Sequence, residues 1–308
     1  MGFPATDCPS ATAPTEFRIL GPIEVADGGA VLPLGGARQR GLLAILLLSA
    51  DEVVSADRLI DDLWGERLPG SGRTALQVRI SQLRKALGRA GRHLVTRAPG
   101  YMLSLHDSRL DLHRFEQLVS EADAADPPGA AAKLREALAL WRGQPLADLC
   151  YESFTQSATV HLQELRLSAL EKRIDADLAL GRHGDLVGEL EALATEHPRR
   201  ERIVLQLMLA LYRCGRQVDA LDCYRRARAQ LNGDLGLEPG PDLKTLQTAI
   251  LSHDRSLAVR SDSTRWSRVE TKRSSSGTLR VSRQPQWNLI LPGALYGETL
   301  LRSVRFYR

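Results

Sequence analysis

"TALQVRISQLRKALG", Thr74 to Gly88, and "LVTRAPGYML", Leu94 to Leu103, decide how this chain is read. Between Arg67 and Gly100 stand eight basic residues (Arg67, Arg73, Arg79, Arg84, Lys85, Arg89, Arg92 and Arg97) and no Asp or Glu. A chain that is 25% charged and near balance does not ordinarily run that far without an acid. Wound at 100° per residue, the helix from Thr74 gathers Leu76, Ile80, Leu83 and Leu87 into one stripe, its core face. The opposite face holds Thr74, Val78, Ser81, Gln82 and Lys85, with Arg79 and Arg84 on the flanks and Arg73 just before it. Such a surface suits a DNA major groove. Gln and Arg bond base edges, a bare Val meets a thymine methyl, and flanking cations reach phosphates. The plainer reading is a solvated helix face, but solvated faces normally interleave Glu with Lys to gain i,i+4 pairs, and this one carries none.

The flanks give that helix a place. "FRILGPIEV" and "AVLPLGG" read as short strands around an Asp27-Gly28-Gly29 turn. A helix is expected from about Ala37 to Ala50 and a second from Ala56 to Trp64, with Ser55 as its N-cap. "HLVTRAPGYMLSL" reads as a hairpin turning at Ala98-Pro99-Gly100. Strands, three helices and a hairpin within residues 17–110 make a winged helix-turn-helix plan, with the basic helix where a reading helix belongs.

From residue 111 the texture changes to Ala- and Leu-rich helical periods. "LALGRHGDLVGELEAL" superposes on "LYRCGRQVDALDCYRRA", with Gly181 on Gly215, Asp185 on Asp219, Leu186 on Ala220, Leu190 on Tyr224 and Leu193 on Ala227, an offset of 34 residues. That period is the signature of tetratricopeptide-type helix hairpins, whose stacked arrays bind proteins. The expected fold is therefore mainly α: an N-terminal α+β winged helix-turn-helix, then an all-α tetratricopeptide-like repeat over 111–253. Residues 1–16 are expected to be a disordered lead, and 254–308 a basic, Ser-rich disordered tail.

Charge follows the same division. Residues 17–110 carry a net +4, residues 111–251 a net −5, and the chain from Ser252 a net +7. Only the first part is suited to a polyanion. Cys8, Cys150, Cys214 and Cys223 have no metal or CxxC spacing and are expected to be reduced. The seven histidines are scattered, no nucleophile motif is present, and Asp61-Asp62 reads as a solvated helix end. No cofactor, metal or enzymatic role is expected. "LLAILLLSA" from Leu42 is far shorter than the roughly 18 to 20 residues of a membrane span, and the N-terminus lacks a secretory leader, so a cytoplasmic protein is expected. Trp64 and Trp141 are expected in the core, and Arg199, Arg200 and Arg202 in solvent.

The quoted residues resemble the recognition helix and wing of OmpR/PhoB-type DNA-binding domains, in which a V-x-V-x-I-x-x-L-R-x-x-L helix precedes a Gly-Tyr wing. The resemblance implies base-facing roles for Val78, Arg79 and Gln82, a phosphate contact for Arg84, and a minor-groove role for Arg97. Ser81 and Gln82 stand where members often carry Arg. "LHRFEQLVSEA", "LEKRIDADLALGRH" and "LMLALYRCGRQVDALDCYRRAR...LNGDLGLEPGPDLKTLQTAIL" are similar to the bacterial transcriptional activation domain. Together the two modules resemble the Streptomyces antibiotic regulatory protein family over about residues 17–253. That resemblance implies an activator of secondary-metabolite gene clusters, bound to promoter direct repeats as a homodimer on double-stranded DNA and contacting RNA polymerase holoenzyme. No phosphoacceptor domain precedes the winged helix, so no phosphorylation switch of that kind is expected. A fragment ending at Leu110 is expected to keep DNA binding and to lose transcriptional activation. A rival reading is a helical-repeat adaptor that holds nucleic acid without sequence choice. Aromatic stacking platforms would mark it, and the basic stretch offers only Tyr101.

Overall fold

The computed structural model describes residues 14–65, 70–149 and 153–258. Arg67, Cys8, Cys150 and most of the expected lead and tail lie outside the described residues. Strand β1 (Thr15–Arg18) begins two residues before the expected boundary of the lead. It pairs antiparallel with β2 (Glu24–Asp27), Phe17 opposite Val25, and β2 pairs with β3 (Ala30–Val31). "FRILGPIEV" is thus two strands and not one: Gly21 and Pro22 break the run, and Pro22 has no amide hydrogen for a ladder.

Helix α1 (Ala37–Leu48) is buried from Gly41 to Leu47. A helix apolar on every side belongs inside. Strand β4 (Val54–Ser55) leads into α2 (Ala56–Trp64), where the Ser55 side chain accepts from the Arg58 amide as the expected cap. Helix α3 (Gly72–Leu87) buries the four predicted stripe residues. Strands β5 (Leu94–Arg97) and β6 (Gly100–Leu103) form the hairpin, and β4 completes a three-stranded sheet in the order β4-β6-β5. Strand β7 (Ser108–Leu110) then returns to lie parallel to β1, closing the order β3-β2-β1-β7.

The helical part runs through α4 (Asp111–Asp123), α5 (Pro127–Ala139), the 27-residue α6 (Ser153–Ala179), α7 (His183–Glu196), α8 (Glu201–Arg213), α9 (Gln217–Leu235) and α10 (Pro241–Leu251). The 34-residue repeat is visible in its turns. Gly181 and Gly215 sit at φ +76° and +77°, and after each the Arg amide reaches back five residues, Arg182 to the Asp177 carbonyl and Arg216 to that of Leu211. This is a Schellman ending, which needs the left-handed conformation glycine tolerates. Leu186 and Ala220, and Leu190 and Tyr224, are buried at equivalent positions.

Residue 110 is not a break in the core. Phe115, Leu118, Leu134, Trp141, Leu146 and Leu162 of the helical part pack in the same cluster as Phe17, Leu42, Leu59 and Leu83. A second cluster, with Ile174, Leu190, Leu207, Tyr224 and Ile250, fills the repeat, and α6 contributes to both, Leu162 and Ala169 to the first and Leu167 and Ile174 to the second. The segment between α5 and α6 also grips the β1–β2 loop: the Arg142 and Leu146 amides donate to the Leu20 and Gly21 carbonyls, and Asp148 accepts from the Ile23 amide. Asp111 accepts from the Ile19 and Leu20 amides at 2.9 Å.

Arg200 and Arg202 are less free than expected. Arg200 bonds Glu171 and Glu164 at 2.8 and 2.6 Å and Arg202 pairs with Asp175, knitting α8 to α6, while Arg199 is two-thirds exposed. Asp177, at 2% side-chain exposure, is held by Arg135, Arg173 and Arg182. The tail boundary also moves: Asp254 caps a short turn at Arg255–Leu257, and the Leu257 carbonyl accepts from Arg213.

Candidate nucleic-acid interface

On α3, burial follows the stripe Leu76-Ile80-Leu83-Leu87, and the residues opposite it face outward. Thr74, Val78, Ser81, Gln82 and Lys85 are exposed, Arg79 and Arg84 half-buried. Gln77 is exposed as well and escaped the sequence reading, although its spacing from Thr74 and Ser81 puts it on the same side. Val78 is 50% exposed in the middle of this polar surface. Arg79 donates to the Gln82 amide oxygen at 3.3 Å, which leaves the Gln82 amide nitrogen as the outward donor. Gln39 of α1 donates to the Gln82 carbonyl, bracing the same turn from behind.

The basic residues divide by what they touch. Arg73 meets Asp57 of α2 at 3.0 Å, both side chains about three-quarters exposed, and Arg89 meets Asp27 at 3.2 Å. Those acids lie outside the acid-free stretch and could not be assigned from it. The Arg73–Asp57 pair, exposed on both sides, contributes little and yields readily to a phosphate, whereas Asp27 is only 13% exposed. Arg79, Arg84, Lys85, Arg92 and Arg97 face no carboxylate within 4.0 Å among the described residues; the salt bridges of this region are those of Arg58, Arg73 and Arg89. Arg84 is a special case. Its Nε and Nη2 donate to the Leu94 carbonyl at 3.0 and 2.9 Å, and Nη2 also to Thr96 Oγ1 at 2.8 Å. A cation that the resemblance assigned to a phosphate is tied to the hairpin.

Arg97 stands at the hairpin tip, opposite Gly100 in register and exposed. The turn passes through a cis Ala98–Pro99 bond. Gly100 is required there: a Cβ on it would sit 1.9 Å from the Val54 carbonyl oxygen, because β4 crosses directly against β6. Tyr101 is half-buried and packs against the core. Of the predicted residues, the fold therefore brings Thr74, Val78, Ser81, Gln82 and Lys85 onto one surface, with Arg97 projecting from the neighbouring hairpin.

Comparison with known proteins agrees with this architecture. Residues 34–103 match the family described as "Transcriptional regulatory protein, C terminal", and residues 110–251 match "Bacterial transcriptional activator domain". Regulatory protein DnrI of Streptomyces peucetius is 36% identical over 252 residues, covering 78% of this chain and 93% of that protein. The chain belongs to the Streptomyces antibiotic regulatory protein family. Regulatory protein AfsR of Streptomyces coelicolor is 41% identical over 289 residues, which are 92% of this chain but 28% of AfsR. EmbR of Mycobacterium tuberculosis is 38% identical over 77% of this chain and 63% of its own length. This member thus spans about a quarter of the AfsR relatives and under two-thirds of EmbR. A solved structure, Mycobacterium tuberculosis EmbR in complex with low affinity phosphopeptide, superposes with a TM-score of 0.73 at 37% identity, over 78% of this chain and 65% of that one. The first family match begins after β1–β3, and the two matches meet at 103 and 110, inside the shared core.

Among the described residues no His, Cys, Asp or Glu cluster could hold a metal ion, and no helix is long and apolar enough to cross a membrane. Cys214 and Cys223 are free thiols, the second buried, and burial pushes its thiol up from the ordinary range.

Proposed function

We propose that this chain is a sequence-specific transcriptional activator of a secondary-metabolite gene cluster, working in the cytoplasm and without catalytic activity. Helix α3 lies in the major groove. Val78, Ser81 and Gln82 read base edges, Gln77 extends the reading surface, and Arg73, Thr74, Arg79 and Lys85 hold phosphates. Arg97 enters the adjacent minor groove from the wing. The helical repeat meets RNA polymerase holoenzyme, and two copies sit head to tail on direct repeats of double-stranded promoter DNA.

The observation that carries this reading is the acid-free exposed face of α3, with Val78 half exposed at its centre and the wing arginine beside it. The relatives named as regulatory proteins support the activator role. The adaptor reading is weakened because Tyr101, the aromatic ring that the basic stretch offers, is half-buried against the core.

Selection of bound duplexes from a randomised pool tests the proposal. The expected product is one enriched motif, repeated in the same orientation, that changes at defined base pairs in Val78→Ala and Gln82→Ala. A pool that stays random through successive rounds would reduce the contact to bare charge and put the adaptor reading first.

A further inference from the structure

We propose that Arg84 is a positioning residue: it fastens the last turn of α3 to the wing and thereby sets where Arg97 stands. The inference rests on the DNA-binding reading above and departs from the phosphate role that the family resemblance gives this arginine.

In the order β4-β6-β5 the wing strand β5 is an edge, so every second carbonyl on it has no strand to bond. The His93 carbonyl accepts from the Ser104 amide on the β6 side. By alternation the next carbonyl, Leu94, points to the open side. Arg84 fills that place with two donors, Nε and Nη2, and its second Nη2 hydrogen takes Thr96 Oγ1. One guanidinium therefore stands in for the missing neighbour strand at Leu94 and Thr96, three residues and one residue before Arg97. Its planar fork suits this double grip, which an ammonium cannot copy.

A second observation puts the same residue at the centre of the helix-to-wing connection. The chain leaving α3 turns back so tightly that a Cβ on Gly91 would sit 2.5 Å from the Arg84 carbonyl oxygen. Backbone on one side and guanidinium on the other hold the wing to the reading helix as one body. Three of the five guanidinium donors are used on neutral acceptors inside the protein, and among the described residues no carboxylate lies within 4.0 Å of it. Unfastened, β5 is a free edge with an arginine at its tip. Fastened, Arg97 stands at a fixed distance from Val78 and Gln82, and the two grooves are read in register.

The test uses the full chain in two measurements. Amide hydrogen exchange over Leu94–Leu103 is followed in the free protein for Arg84→Gln, Arg84→Lys and Thr96→Val. Affinity for the selected duplex is then measured for the same variants, alone and with Arg97→Ala. A fork of charged hydrogen bonds predicts that the wing exchanges about tenfold faster in both Arg84 variants and several-fold faster in Thr96→Val. Affinity is expected to fall about tenfold for Arg84→Gln and for Arg84→Lys alike, and less than twofold for Arg84→Gln when Arg97 is already Ala. A phosphate contact gives a different pattern: Arg84→Lys near wild type, Thr96→Val silent, and a salt slope lower by about one in Arg84→Gln. That pattern, or unchanged wing exchange, overturns the proposal. If instead Arg97→Ala leaves DNA affinity untouched, the DNA-binding reading of the wing fails, and the exchange measurement still decides whether Arg84 holds it.

Discussion

Asp111 sits where the winged helix becomes the helical repeat, and its removal has a computable consequence. Its carboxylate accepts from the Ile19, Leu20 and Leu112 amides, each at 2.9 Å, and its side chain is 8% exposed. Ile19 and Leu20 are fully buried, so Asp111→Ala strands two amide hydrogens away from water. Each stranded donor costs about 1–3 kcal/mol. Removing a buried carboxylate recovers part of this, because burial pushes the Asp111 carboxyl above its ordinary 3.8, outweighing the three amides and Arg142. A net loss of about 2–4 kcal/mol is expected, lowering Tm by roughly 5–15 °C for a unit of this size. Asp111→Asn keeps one acceptor oxygen and loses less. The pH dependence has a definite sign. A carboxyl raised in the folded state binds its proton more tightly there, so its contribution is largest below 3.8 and declines as pH rises through the folded value. The wild-type advantage over Asp111→Asn therefore shrinks between about pH 4 and neutrality. Thermal unfolding at both pH values measures it. An Asp111→Ala protein that melts within a degree of wild type would refute the reasoning, since Ile19 and Leu20 would then have other partners.

A fragment ending at Leu110 is expected to lack a cooperative unfolding transition, because Phe115, Leu118, Trp141 and Leu146 leave the first core with it, whereas one ending at Arg182 keeps all of that cluster and retains DNA affinity; calorimetry and duplex titration of the two compare them. Gly100→Ala must push β6 off β4, since its Cβ would overlap the Val54 carbonyl, and a loss of about 3 kcal/mol or more in urea unfolding is expected together with weakened DNA binding. Gly215→Ala meets no neighbour within 4 Å but keeps φ +77°, so it is expected to cost only about 1–2 kcal/mol by the same assay.

What was legible in the sequence is what local chemistry decides. Ser55 and the apolar spacing placed α2 at Ala56–Trp64, and the glycines 34 residues apart marked two turns with nearly the same φ. The stripe Leu76-Ile80-Leu83-Leu87 fixed which face of α3 is free, and with it Val78 and Gln82. Partners distant in sequence were not legible. Nothing in "LRKALG" shows that the Leu94 carbonyl lies within reach of Arg84, or that Asp57 arrives from α2 to meet Arg73. Periodicity shows that α4 and α5 have an apolar side and is silent on whose core it joins. The composition change at residue 111 falls where one family match gives way to the other, and it could not show that Phe115 and Trp141 pack in the cluster that holds Phe17.

The central claim is that the exposed face of α3 reads DNA sequence. Titration of the full chain against promoter DNA of neighbouring genes, with scrambled duplex as competitor at physiological salt, tests it most directly. The expected result is a preference for the promoter that disappears when Val78 and Gln82 are both replaced by Ala, a change of about 1–3 kcal/mol for each base pair no longer read. Equal affinity for both duplexes in the wild-type protein, or a preference that survives the double replacement, would contradict it.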